Sequence, residues 1–147
     1  MANEAIVKLG TIKTLEYSGA SVANAAMSLA TTTTYGIVAD GASYPDADFV
    51  LNVTFGTAPT INTALDLYAQ ELDIDGTSDA AAPTATYKQR YIGSFVVNAV
   101  TTAQHLKVHA YDVPLVASYY LHNNATGQTM SAGWTLKVTP RTIGPAA

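Results

Sequence analysis

A chain of 147 residues that is 48% hydrophobic and only 12% charged, with a net charge of −4, is the size of one domain and can bury a core without covalent help. It has no cysteine, which excludes disulfides and thiolate metal sites, and its seven Lys and Arg are scattered, which excludes the basic stripe of a nucleic-acid-binding protein. No window reaches the ~18 consecutive apolar residues that span a bilayer, and residues 1–10 lack the basic and apolar regions of a signal peptide, so neither a membrane partner nor secretory processing is expected.

In chain order, hydrophobic alternation with a period of two dominates. Residues 5–9 and 11–17 predict short strands; residues 25–29 predict a weaker one, although their alanines equally suit a helical turn. Residues 49–55 put Phe49, Leu51, Val53 and Phe55 on one face. Residues 64–72 put Leu65, Leu67 and Ala69 on one face and Asp66, Tyr68 and Gln70 on the other. Residues 90–97 align Tyr91, Gly93, Phe95 and Val97; residues 105–113 set Leu106, Val108 and Ala110 against His105, Lys107, His109 and Tyr111. Residues 118–123 and 135–139 complete the set, the last with Leu136 and Val138 inward. Glycines at 19, 36, 41, 56, 76, 127 and 133 and prolines at 59 and 114 fall between the runs, where turns need them. The pattern predicts an all-β single domain over 1–147. Its architecture is an antiparallel β-sandwich, jelly-roll-like or Ig-like, of about eight or nine strands, with two sheets packed about 10 Å apart. Residues 1–10 read as an N-terminal arm and residues 142–147 as a flexible C-terminal tail.

Candidate chemistry is sparse. Asp73, Asp75 and Asp79 have part of the spacing of a calcium loop, but the twelfth position is Thr84 and the flanks read as strands, so Asp75-Gly76 is read as turn chemistry. His105 and His109 share a strand face at about 13 Å, too far apart for one metal ion, and read as two exposed histidines. His122 reads as a side chain near a turn. No nucleophile elbow, phosphate-binding glycine loop or carboxylate pair outside residues 71–79 is found, so no catalytic, cofactor-binding or metal residue is assigned and no enzyme is expected. Nine tyrosines accompany three Phe and one Trp. Those in the two long loops, 31–45 and 74–88, are the best partner-contact candidates: Tyr35, Tyr44 and Tyr87.

Six stretches carry a resemblance. They are Tyr17-Ser-Gly-Ala-Ser-Val-Ala-Asn24, Asp46-Ala-Asp-Phe-Val-Leu-Asn-Val-Thr-Phe-Gly-Thr-Ala-Pro59, Thr63-Ala-Leu-Asp-Leu-Tyr68, Leu72-Asp-Ile-Asp-Gly76, Tyr91-Ile-Gly-Ser-Phe95 and His122-Asn-Asn-Ala-Thr-Gly-Gln128. Their order over residues 16–140 resembles small β-sandwich proteins of tailed-bacteriophage virions, above all capsid decoration (cement) proteins. The resemblance implies a virion structural protein made in the host cytoplasm that binds the major capsid protein on the outer head surface and stabilises the lattice. It also implies a homo-oligomer, with a trimer favoured, and no cofactor. The alternative is a tail or head-fibre component that binds a host-surface glycan or protein.

Overall fold

The computed structural model describes residues 4–37, 44–72 and 80–145. Eight strands follow in order: β1 (Ala5–Leu9), β2 (Lys13–Gly19), β3 (Asp46–Val53), β4 (Ala64–Glu71), β5 (Tyr91–Val96), β6 (Gln104–Ala110), β7 (Ala117–Asn124) and β8 (Trp134–Pro145). They form two antiparallel sheets, and the chain is an all-β sandwich with no helix among the described residues. In the larger sheet the order is β1-β8-β3-β6, and β2 also pairs with β8. β2 lies against Trp134–Val138 and β1 against Arg141–Pro145, so the two share one edge of β8, joined where Gly10 N donates to Pro140 O at 2.8 Å. The smaller sheet is β5-β4-β7.

Alternation explains the core. Leu15, Phe49, Leu51, Leu136 and Val138 of the larger sheet are fully buried with Leu65, Leu67, Phe95, Tyr119 and Leu121 of the smaller one. Phe49 and Tyr119 meet across the gap with ring centroids 5.2 Å apart. Both faces of β4 are covered. Asp66 and Tyr68 are buried because β4 is the central strand and Tyr91, His122 and Lys88 lie over it.

Residues 20–37 are not a free loop. Residues 25–29, a weak strand by sequence, make one isolated bridge among the described residues, Met27↔His122, and Ala25 takes a left-handed φ of 62° that turns the chain out of any ladder. The segment instead runs as a strap along the outer edge of β7. Ala25 N, Ser28 N, Thr31 N and Tyr35 N donate to the carbonyls of Asn123, Leu121, Tyr119 and Ala117 at 2.7–2.9 Å. Ser28 Oγ and Thr31 Oγ1 accept from Leu121 N and Tyr119 N. The same strap reaches β2: Thr33 N donates to Leu15 O, and Thr32 N to the buried Glu16 carboxylate. One side of the sandwich is thereby closed.

Trp134, at the start of β8, shows how tight this packing is. Its indole Nε1–H donates to Ala20 O at 2.8 Å, and the ring occupies the space beside Gly19, where an added Cβ would overlap the ring atoms Cε2, Cζ2 and Nε1. Gly19→Ala is therefore expected to displace the indole and cost about 2–4 kcal/mol, from overpacking and a lost buried hydrogen bond. Gly56→Ala, where an added Cβ would meet nothing within 4 Å among the described residues, serves as the control and should stay within about 0.5 kcal/mol. Urea denaturation of both variants checks this.

Candidate interaction surface

β8 is longer than the sandwich that holds it. Its ladder with β3 ends at the pair Asp46↔Arg141, and beyond that point only β1 pairs with it. Residues 142–145 and 5–8 therefore form a two-stranded ribbon extending about 13 Å at ~3.3 Å per residue. The segments that read from sequence as an arm and a tail are paired with each other here.

The register sorts the ribbon into two faces. Val7 opposes Ile143, Leu9 opposes Arg141, and Ala5 opposes Pro145, so these share one face, while Ile6 and Lys8 share the other with Gly144 and Thr142. The first face is apolar and wet: Val7 is 51% exposed, Leu9 61% and Ile143 69%. At its foot lies a cavity of about 560 Å³ lined by Leu9, Gly10, Thr11, Ile12, Lys13, Tyr35, Tyr44 and Pro140. Ile12, on the lining of this cavity, is itself exposed.

Of the three sequence-predicted contact tyrosines, Tyr35 and Tyr44 are brought together at this groove, and Tyr87 is not. Tyr44 is half-buried on the groove wall. Tyr35 is a correction. It is only 1% exposed, with its ring 6.3 Å from Phe49 and 6.4 Å from Tyr119, because its backbone exchanges hydrogen bonds with Ala117 at the edge of β7 and carries the side chain inward. Tyr87 is exposed on a turn closed by its own amide to Thr84 Oγ1 at 2.9 Å. Val7, Leu9 and Ile143 were not singled out by sequence; the available signal was uncompensated apolar alternation at both chain ends.

The outer face of the larger sheet carries the densest charge. Asp48 is buried and its Oδ1 accepts from His109 Nδ1 at 2.6 Å; a carboxylate cannot donate, so Nδ1 holds the proton. Lys107 Nζ and Arg141 Nη1 approach Asp48 Oδ2 at 3.3 and 3.5 Å, and His109 Nε2 is 3.9 Å from Asp46 Oδ2. Burial alone would raise the Asp48 pKa, but the hydrogen bonds and charges of His109 and Lys107 outweigh it and hold the carboxyl below its usual value. The cross-strand pair Asp48↔His109 is what the sequence reading of two exposed histidines missed; His105 is exposed as expected.

The outer face of the smaller sheet is aromatic and internally bonded. Tyr91 O–H reaches Ser94 Oγ at 2.6 Å, and Ser94 donates to Asp66 Oδ1, also at 2.6 Å, while Asn124 Nδ2 donates to Asp66 Oδ2 at 3.0 Å. His122, expected near a turn, is 4% exposed within β7. Its Nε2–H donates to Ala25 O of the strap at 3.3 Å, and its Nδ1 is buried with no hydrogen-bond partner among the described residues. Burial and the nearby Lys88 charge push its pKa down, against smaller opposing effects of Ala25 and Asp66. Among the described residues, no group of three or more acidic or His side chains is placed to hold a metal ion. The calcium-like run at 73–79 lies outside them.

Two outcomes follow for these side chains. Tyr35→Ala should cost about 3–5 kcal/mol, as for a buried aromatic, and Tyr87→Ala less than about 0.5 kcal/mol, both read by urea denaturation. Because folding lowers the His122 pKa, its neutral form is favoured in the folded state. Stability from this site is full above the unfolded pKa of about 6.5 and is lost as pH falls through that value towards the folded pKa. Asp48 acts in a separate window, losing its contribution only as pH falls below about 4. His122→Gln should therefore flatten the fall in denaturation midpoint between about pH 7 and pH 5 relative to the unmodified chain; an unchanged slope would show that His122 does not carry it.

Compared with known proteins, the chain matches no family model, no curated protein sequence and no solved structure.

Proposed function

We propose that the chain is a bacteriophage virion structural protein, a capsid decoration protein that binds the major capsid protein on the outer head surface and stabilises the lattice. The observation that carries the reading is the exposed apolar ribbon face of Val7, Leu9 and Ile143, projecting beyond the sandwich. A two-stranded ribbon is marginally stable in water by itself, and an apolar face of this kind gains most from cover by a partner. The motif resemblance over residues 16–140 supplies the kind of partner. A structural role asks for a stiff scaffold and a contact surface poor in charge at its centre, and both are at hand.

The experiment is cosedimentation of the purified full chain with mature capsids. Saturable binding of the unmodified chain is expected. Val7→Lys combined with Ile143→Lys should weaken it at least tenfold, because two charges are then forced into a desolvated contact. Circular dichroism and urea denaturation establish that the variant is folded. Equal binding by both proteins removes the ribbon from the contact. Binding to tails or to host cells, with none to capsids, overturns the capsid reading in favour of a tail or fibre component.

A further inference from the structure

We propose that the outer edge of β1 pairs antiparallel with β1 of a second copy of this chain, about a two-fold axis at Ile6. β1 ends the larger sheet, and among the described residues its ladder partner is β8 alone. The neighbouring stretch of the same edge, β2, is covered by the strap through Leu15, Glu16, Thr32 and Thr33, and β1 has no such cover among the described residues. An edge with free N–H and C=O groups, no proline and exposed apolar side chains is a template for a further strand.

The residues of the edge select the partner and the register. Glu4, Ala5, Ile6, Val7 and Lys8 are self-complementary when read against themselves in reverse. With Ile6 opposite Ile6, Ala5 faces Val7, and Glu4 faces Lys8 twice, once on each side of the axis. Both Glu4 and Ile6 are exposed. Lys8 lies with its stem over Gly144, its Nζ 3.5 Å from where a Cβ on that glycine would sit, and its flexible chain is free to swing outward. Shifting the axis to Val7 keeps the apolar face but sets Lys8 opposite Ile6 and Glu4 opposite Gly10, losing both ion pairs. A shift of a single pairing step turns one copy over, so that the apolar face of one ribbon continues into the polar face of the other.

The Ile6 register does more than satisfy an edge. Its two-fold axis stands perpendicular to the sheet, so Val7, Leu9 and Ile143 of both copies fall on the same side. Two marginal two-stranded ribbons become one four-stranded sheet with a single apolar platform. The pairing does not rest on the capsid reading: a chain that dimerises through β1 and ignores capsids leaves the pairing intact and ends that reading.

The chain has no cysteine, so an introduced one reports on its own position. In the proposed register the two Ile6 positions are directly opposed at about 4.5–5.5 Å, whereas the two Val7 positions are offset diagonally beyond the about 7 Å limit for a disulfide. Under mild oxidation Ile6→Cys should form a covalent dimer, and Val7→Cys should not. Sedimentation equilibrium of the cysteine-free chain should give a dimer. Glu4→Lys alone and Lys8→Glu alone should each raise the dimer Kd about tenfold or more by setting like charges opposite one another, and the two together should restore it to within about threefold. A wild-type monomer or trimer, cross-linking at Val7 in preference to Ile6, or a double exchange as dissociated as the single ones would each overturn the proposal.

Discussion

The length of β8 is the constraint from which the rest follows. This twelve-residue strand is the hub of the larger sheet, pairing with β3 along one edge and with β2 and β1 in succession along the other. Trp134, Leu136 and Val138 anchor its first half in the core, so its position cannot slip without turning those side chains out to solvent. Once that half is fixed, the last four residues must leave the sandwich, because β3 begins only at Asp46. Among the described residues β1 pairs with β8 alone, over Arg141–Pro145, and an apolar ribbon results from packing that took place elsewhere.

The opposite end of the same edge shows what the fold does when an edge is to be silenced. The strap uses backbone donors together with short side chains, Ser28, Thr31 and Thr32, to pair with β7 and β2 where a regular strand would not bridge two sheets. Asn123 pins the following turn, donating to Val22 O and Gln128 O and accepting from Thr126, all three groups buried or nearly so. Ala125 and Gly127, at φ 58° and 79°, let that turn close. The run around Asn123 and Thr126 that marks the sequence is accordingly a fastening of the strap.

Most of the fold was legible because alternation with period two is a local property. Residues 49–55, 64–72, 90–97, 105–113 and 118–123 each became a strand within three residues of the expected bounds, and 135–139 became the first half of β8, which runs on to Pro145. What failed was non-local. Tyr35 sits in a stretch with loop composition, and only its pairing with Ala117, far along the chain, turns its ring inward. The sequence placed Asp66 and Tyr68 opposite the core face and His122 near a turn, and their burial was hidden for the same reason: whether the outer face of a strand is wet depends on what crosses it, and that is decided by Lys88, Tyr91 and the strap. The ribbon was half legible. Its two segments stood out at the chain ends, but that they pair, and that the pairing puts Val7 beside Ile143, requires the register.

The distribution of charge explains why the apolar ribbon is the place where a partner has most to gain. The buried acids are already satisfied within the chain: Asp48 by His109, Lys107 and Arg141, Asp66 by Ser94 and Asn124, and Glu16 by three backbone amides. Arg90 is likewise engaged with Glu71 and Asp112. A partner approaching either outer face would have to compete with these bonds, and breaking a buried charge pair costs more than a surface contact returns. The ribbon presents the reverse balance. Its backbone edge has donors and acceptors with no partner among the described residues, and covering Val7, Leu9 and Ile143 releases water from apolar surface at about 25 cal/mol per Å². Low overall charge and full internal use of the buried charges leave association to hydrophobic cover and strand pairing, and both converge on residues 4–9.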